Sequence, residues 1–127
     1  MSHSLDGKVA VVISVVPPAG MSIHGAFKAG FHGMVRALIQ DLKGTGVRIN
    51  ILSPGAVDTP SLRRALSKAA GSEAVDQIVR SMAQRSPLGR IGEAREIGQV
   101  AVFLASDASS YINGVELFVD GGLTQVA

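Results

Sequence analysis

The stretch Ser22–Lys43, SIHGAFKAGFHGMVRALIQDLK, decides how the rest of the chain is read. Its apolar residues Ile23, Phe27, Phe31, Met34, Val35, Leu38 and Leu42 recur at threes and fours. That is the stripe of an amphipathic helix, not the alternation of a strand. Ser22 is placed to cap this helix, and Lys43 with Gly44 to end it. A second row, His24, Lys28 and His32, is spaced i, i+4 and i+8 and so projects from one side. A third row is small: Ala26, Gly30, Gly33 and Ala37. Glycine inside a helix costs roughly 1 kcal/mol relative to alanine. Gly25, Gly30 and Gly33 therefore point to the close approach of another backbone. One helix carries a core face, a polar row and a docking face.

Outward from this helix the chain alternates. Lys8–Val16, KVAVVISVV, is continuous and β-branched, as in a strand buried on both faces of a parallel sheet, and Pro17, Pro18 and Gly20 close it. Val47–Leu52 reads as a second strand ended by Ser53-Pro54-Gly55. Val57–Gly71 reads as a polar, mobile segment, with Leu62 and Leu66 at helical spacing. Glu73–Gln84 and Glu93–Ser106 read as helices, separated by a loop at Pro87–Gly92. Val115–Val119 reads as a third strand, closed by a structural turn at Asp120-Gly121-Gly122. Helices between short apolar strands require right-handed parallel crossovers. The expected class is α/β: one small three-layer Rossmann-like domain over residues 1–127, with a mostly parallel sheet of about three strands and helices on both faces. The apolar first strand would be an exposed edge. A homo-oligomer, dimer or tetramer, is expected to cover it or to use the small-residue row.

The composition narrows the function. A net charge of +2 without any Lys/Arg block, and 4% aromatic residues, argue against a nucleic-acid partner. No cysteine is present, which excludes disulfides and thiolate metal sites and suits a reducing cytoplasm, the expected location. The run at Val9–Val16 is too short to span a bilayer, so no membrane partner is expected. A small-molecule substrate remains.

The stretch Asn50–Pro60, NILSPGAVDTP, resembles the short-chain dehydrogenase/reductase family. Arg90-Ile91-Gly92-Glu93, Phe103–Asp107, Tyr111–Gly114 and Val119–Gly122 resemble that family's C-terminal third, and the likeness runs from about Ser14 to Thr124. The resemblance implies the C-terminal half of a Rossmann-type sheet, with the long helix at a dimer interface. It places the family's catalytic Tyr-x-x-x-Lys on His24 and Lys28, and its serine on Ser14, with Ser22 as the competitor. It also places Pro54, Gly55 and Thr59 against a nicotinamide, if a nucleotide binds.

Two departures shape the functional expectation. No T-G-x-x-x-G-x-G or G-x-G-x-x-G occurs, and the family's central asparagine-rich motif is missing; the first strand reads as joined directly to the fifth. No glycine-rich turn then delivers backbone N–H groups to a pyrophosphate. The expectation is no resident cofactor, with NAD(P) as the alternative. Histidine in place of the family tyrosine could still move protons. The Lys28 cation would lower its pKa from about 6.5, giving a neutral general base near neutral pH. The expected function is non-redox acid–base chemistry, namely isomerisation, cyclisation, dehydration or hydrolysis of a small carbonyl-containing molecule. The alternatives are an NAD(P)-dependent oxidoreductase whose cofactor site is rebuilt by oligomerisation, and a non-catalytic remnant or binding module. His32 could be a base, but the i, i+8 spacing speaks against a metal pair with His24, and no metal is expected. Asp58 is either a carboxylate partner of the site or a loop cap. Arg63, Arg64, Arg80, Arg85 and Arg90 read as solvated surface, with anion binding as the minor reading.

Overall fold

The computed structural model describes residues 9–13 and 22–126, without the side chains of 10–13 and 22–29. The elements run β1 (Val9–Ile13), α1 (Ser22–Asp41), β2 (Arg48–Pro54), β3 (Val57–Asp58), α2 (Pro60–Ala70), α3 (Val75–Arg85), β4 (Gly92–Glu93), α4 (Ala94–Ala105) and β5 (Glu116–Val119). The main sheet has the order β1-β2-β5, and β3 pairs with β4. β1 runs parallel to β2 in a register from Val9↔Arg48 to Ile13↔Leu52. The α/β class with a short parallel sheet is therefore present. Among the described residues, no helix is long and apolar enough to cross a membrane.

The chain forms two compact units, the first from residues up to Ser53 with Ala101–Leu117, the second from Pro54–Val100 with Phe118 onward. In the first, alternate residues of β2 meet one face of α1. Ile49 and Ile51 pack on Val35, with Phe31, Ile39, Leu42 and Val47 around them. The positions 31, 35, 39 and 42 form a single arc of the helix. The stripe expected from the sequence is corrected here. Met34 and Leu38 are 48% and 37% exposed, and Ile39 takes the inner place. At about 100° per residue, Leu38 lies roughly 20° and Met34 roughly 60° beyond the Phe31 edge of that arc, so counting threes and fours alone does not decide between neighbouring rows. Apart from the helix's own backbone, no atom among the described residues lies within 4 Å of a Cβ built on Gly30 or Gly33, so the small row is open at these two positions.

β2 is held on its other side by side chains. Asn50 is fully buried, donating to the Ile112 carbonyl (3.2 Å) and accepting from the Val115 N–H (3.2 Å). Asn113 Oδ1 accepts from the Ile49 N–H at 2.9 Å. The Arg48 guanidinium donates to the carbonyls of Leu104, Ser106 and Ile112. The Ile51 N–H donates to Val115, which continues the pairing into β5.

In the second unit, Val57–Gly71 is a strand and a helix, not the mobile segment expected. Thr59 adopts an extended backbone, its Oγ1 accepts from the Leu62 N–H at 3.1 Å, and Pro60 follows at the first helical position. This is a capped start that needs no buried face, and α2 has no buried residue. A 3₁₀ turn at Ser72–Ala74 leads into α3, where Val75 is buried.

Asn50→Ala would leave the Val115 N–H without its partner in a buried place. It should lower unfolding stability by about 1–3 kcal/mol, read as a shift of the urea midpoint with unchanged slope.

Candidate functional site

The C-terminal end of β2 leads into the loop that open α/β sheets use for ligands. Pro54 is buried and ends the strand, where its missing N–H is harmless. Gly55 follows and donates to the Val119 carbonyl at 3.1 Å. A Cβ built on Gly55 would lie 2.8 Å from both Cα and Cβ of Asp120. Only glycine allows this approach. Ala56 accepts from the Gly92 N–H at 2.9 Å, and Val57–Asp58 pair in parallel with Gly92–Glu93. Thr59 is half-buried and caps α2. Its hydroxyl accepts one hydrogen bond there and keeps its proton to donate.

The loop is braced by charges that sequence spacing did not reveal. Arg63 grips Asp58 with both oxygens, Nε to Oδ1 at 2.7 Å and Nη2 to Oδ2 at 2.8 Å, and reaches Asp76 at 3.1 Å. The hydrogen bonds from Arg63 hold the Asp58 carboxyl below its ordinary value, and those from Asp58 and then Asp76 raise Arg63. Arg90 pairs with Glu96 at 2.7 and 2.8 Å, and Glu96 also accepts from the Glu93 N–H at 2.8 Å. That second bond is half of a capping box at the start of α4, legible as a glutamate three residues into the helix. The Arg90 hydrogen bonds, then the Glu93 N–H, lower Glu96 to about 2. Arg63 and Arg90 lie on the solvated surface, as expected, and each is paired with carboxylates there. A small cavity of about 100 Å³ lies beside the Arg90–Glu96 pair, with Ala56, Ile97 and Val119 in its wall.

Asp120 terminates β5. Its carboxylate accepts from the N–H groups of Gly122 and Thr124 at 2.9 Å each, and from the Thr124 hydroxyl at 2.7 Å. Burial pushes its pKa up, and the Thr124 and Gly122 hydrogen bonds outweigh that and leave it lowered. Gly121 and Gly122 take φ of 66° and 88°, the left-handed region that makes this turn a glycine site.

The catalytic triple expected from the sequence is placed only in part. His24 and Lys28 stand one turn apart in the backbone of α1, with side chains outside the described residues, and the same holds for the side chain of Ser22. Ser14 lies outside the described residues altogether. The third member of the polar row is described. His32 Nδ1 lies 3.3 Å from Glu116 Oε2, and the fully buried Ser53 donates to Glu116 Oε1 at 2.7 Å. Ser53 and Glu116 were missed as polar partners. They stand 63 residues apart in sequence, and no local pattern joins them.

Residues 8–124 match the family model described as enoyl-(acyl carrier protein) reductase. The chain belongs to the short-chain dehydrogenase/reductase family. It is 39% identical over 110 residues to oxidoreductase asL5 of Sarocladium schorii, covering 87% of this chain and 40% of that one. It is also 39% identical over 119 residues to 2-keto-3-deoxy-L-fuconate dehydrogenase of Xanthomonas campestris pv. campestris, covering 94% and 39%. Among solved structures, ligand-free aldohexose dehydrogenase of Thermoplasma acidophilum superposes with a TM-score of 0.83 at 29% identity, covering 94% of this chain and 49% of that one. The chain thus spans less than half the length of these relatives.

Gly55→Ala would drive a methyl into the Asp120 backbone and should cost about 1–3 kcal/mol, measured by urea denaturation. Glu96 gives a pH prediction. Its folded pKa lies below the unfolded value of 4.5, so its contribution is present above 4.5 and is lost as pH falls toward about 2. Thermal scans across that window should show a loss of stability that shrinks in Glu96→Gln.

Proposed function

We propose that the chain acts on a small molecule carrying a carbonyl or the corresponding hydroxyl, as an oxidoreductase of its family. The observation that carries this reading is the loop Pro54–Thr59. It sits at the carboxyl end of β2, its glycine is fixed by Asp120, and its threonine has a hydroxyl proton to offer. A donor there suits the carboxamide end of a nicotinamide, so the residues present fit that end of an NAD(P) cofactor. A bound nicotinamide would accept or supply the hydride.

The rest of the chemistry belongs to the chain. His24 takes the proton from the substrate hydroxyl. Lys28 stands one turn on in sequence, and a cation at that spacing would favour a neutral imidazole as the base. That bias favours oxidation of the alcohol over reduction of the carbonyl. The names of the two relatives, an oxidoreductase and a dehydrogenase, support the redox chemistry of this reading. We further propose that the chain works as one domain in a homo-oligomer in the cytoplasm. The open row at Gly30 and Gly33, beside exposed Met34, supports a second copy.

A second reading is favoured by one sequence observation. No glycine-rich phosphate loop occurs in the chain, and a histidine stands where the family has tyrosine. His24, Lys28 and a serine would then carry out isomerisation, cyclisation, dehydration or hydrolysis without hydride transfer.

Titration of the purified chain with NAD(P)⁺ and NAD(P)H, followed by calorimetry and a panel of small secondary alcohols, separates the two. The redox reading expects saturable micromolar binding and turnover that falls roughly 10²–10⁴-fold in His24→Ala. Absence of binding up to millimolar, with His24-dependent turnover of a carbonyl compound, would replace it with the second reading.

A further inference from the structure

The strand ends that this chemistry does not use hold a larger hollow. A cavity of about 670 Å³ opens where β1 and β2 begin, walled by the end of α1 and by the segment after α4. That volume lies within the range of small-molecule pockets, about 300–1,000 Å³. We propose that it is a second ligand site, which takes a small amphipathic anion: one anionic group on a short apolar body.

The apolar part of the wall comes from Val9, Ile39, Leu42 and Val47. The polar part is rich in donors. Arg48 is half-buried and its guanidinium has five N–H donors. Three go to the carbonyls of Ile112, Leu104 and Ser106, at 2.9, 3.0 and 3.2 Å. Two remain, on Nε and on Nη1, and no carboxylate pairs with Arg48 among the described residues. Its role in tying down the end of α4 explains the three bonds and leaves these two donors over. Because those carbonyls already fix the guanidinium, an incoming anion meets a group in one pose and loses little to ordering it.

The neighbours agree in sign. Lys43 is exposed in the same wall and has no ion-pair partner among the described residues. Asn113 spends its Oδ1 on the Ile49 N–H, which leaves its amide N–H groups as the free end. Tyr111 stands fully exposed at the rim, an aromatic ring with a hydroxyl that nothing among the described residues covers. Against these, Asp107 is the one acidic side chain in the wall among the described residues. Two cations against one carboxylate, over an apolar floor, select an anionic head and an apolar tail.

The test uses the full chain and ¹⁵N-resolved titrations with hexanoate, hexyl phosphate and hexan-1-ol. The proposal expects at least one of the two anions to saturate, with shifts confined to amides around Gly44, Val47, Tyr111 and Asn113. It expects hexan-1-ol to bind about tenfold more weakly or worse. Lys43→Glu, at an exposed position that leaves the fold intact, should weaken the anion by a similar factor. Anions that bind no better than the alcohol, shifts that fall elsewhere, or an affinity unchanged in Lys43→Glu would each overturn it.

Discussion

The buried Asn50 carboxamide is the interaction on which the rest of this structure leans. It sits inside β2 with no exposed surface, and both of its ends are used, one on the Ile112 carbonyl and one on the Val115 N–H. A polar group in that position is costly unless satisfied, so it admits one arrangement of the segment before β5. Arg48 and Asn113 secure the same segment on either side. Once that segment is fixed, Glu116 comes to Ser53 at 2.7 Å and to His32 on α1 at 3.3 Å. The apolar contact of Val35 with Ile49 and Ile51 supplies burial. The carboxamide and its neighbours supply register.

What sequence could and could not reveal follows from the range of each signal. The periodicity of Ser22–Lys43 is local and strong, and α1 begins where Ser22 suggested. Which neighbouring row faces inward is not local, so Ile39 was overlooked in favour of Met34 and Leu38. The polar composition of Val57–Gly71 reads as a mobile stretch, and α2 indeed buries no residue. Its warrant is the Thr59-Pro60 start and the Arg63 grip, which are polar and easily read as loop chemistry. The Ser53–Glu116 bond joins positions 63 residues apart, beyond the reach of any window. The motifs from Asn50 to Pro60 and from Val119 to Gly122 were legible as a family resemblance, and the family assignment rests on residues 8–124. The histidine at position 24 was equally legible, and what its imidazole touches was not.

The loop after β2 is shaped by its neighbours. Gly55 is a glycine because Asp120 occupies the space of a side chain, and Asp120 is held there by Thr124 and Gly122. Thr59 is tied to the start of a helix, where its hydroxyl accepts one bond and keeps its proton to donate. Such a loop offers shape and one donor.

The most direct measurement of the central claim is native-state amide hydrogen exchange across the chain. If Asn50 and its partners set the frame, the amides of Ile49, Ile51 and Val115 exchange only through global unfolding and are the slowest in the chain, while those of α2 open locally. Exchange of Ile51 and Val115 at the rate of the exposed α2 amides would contradict the account.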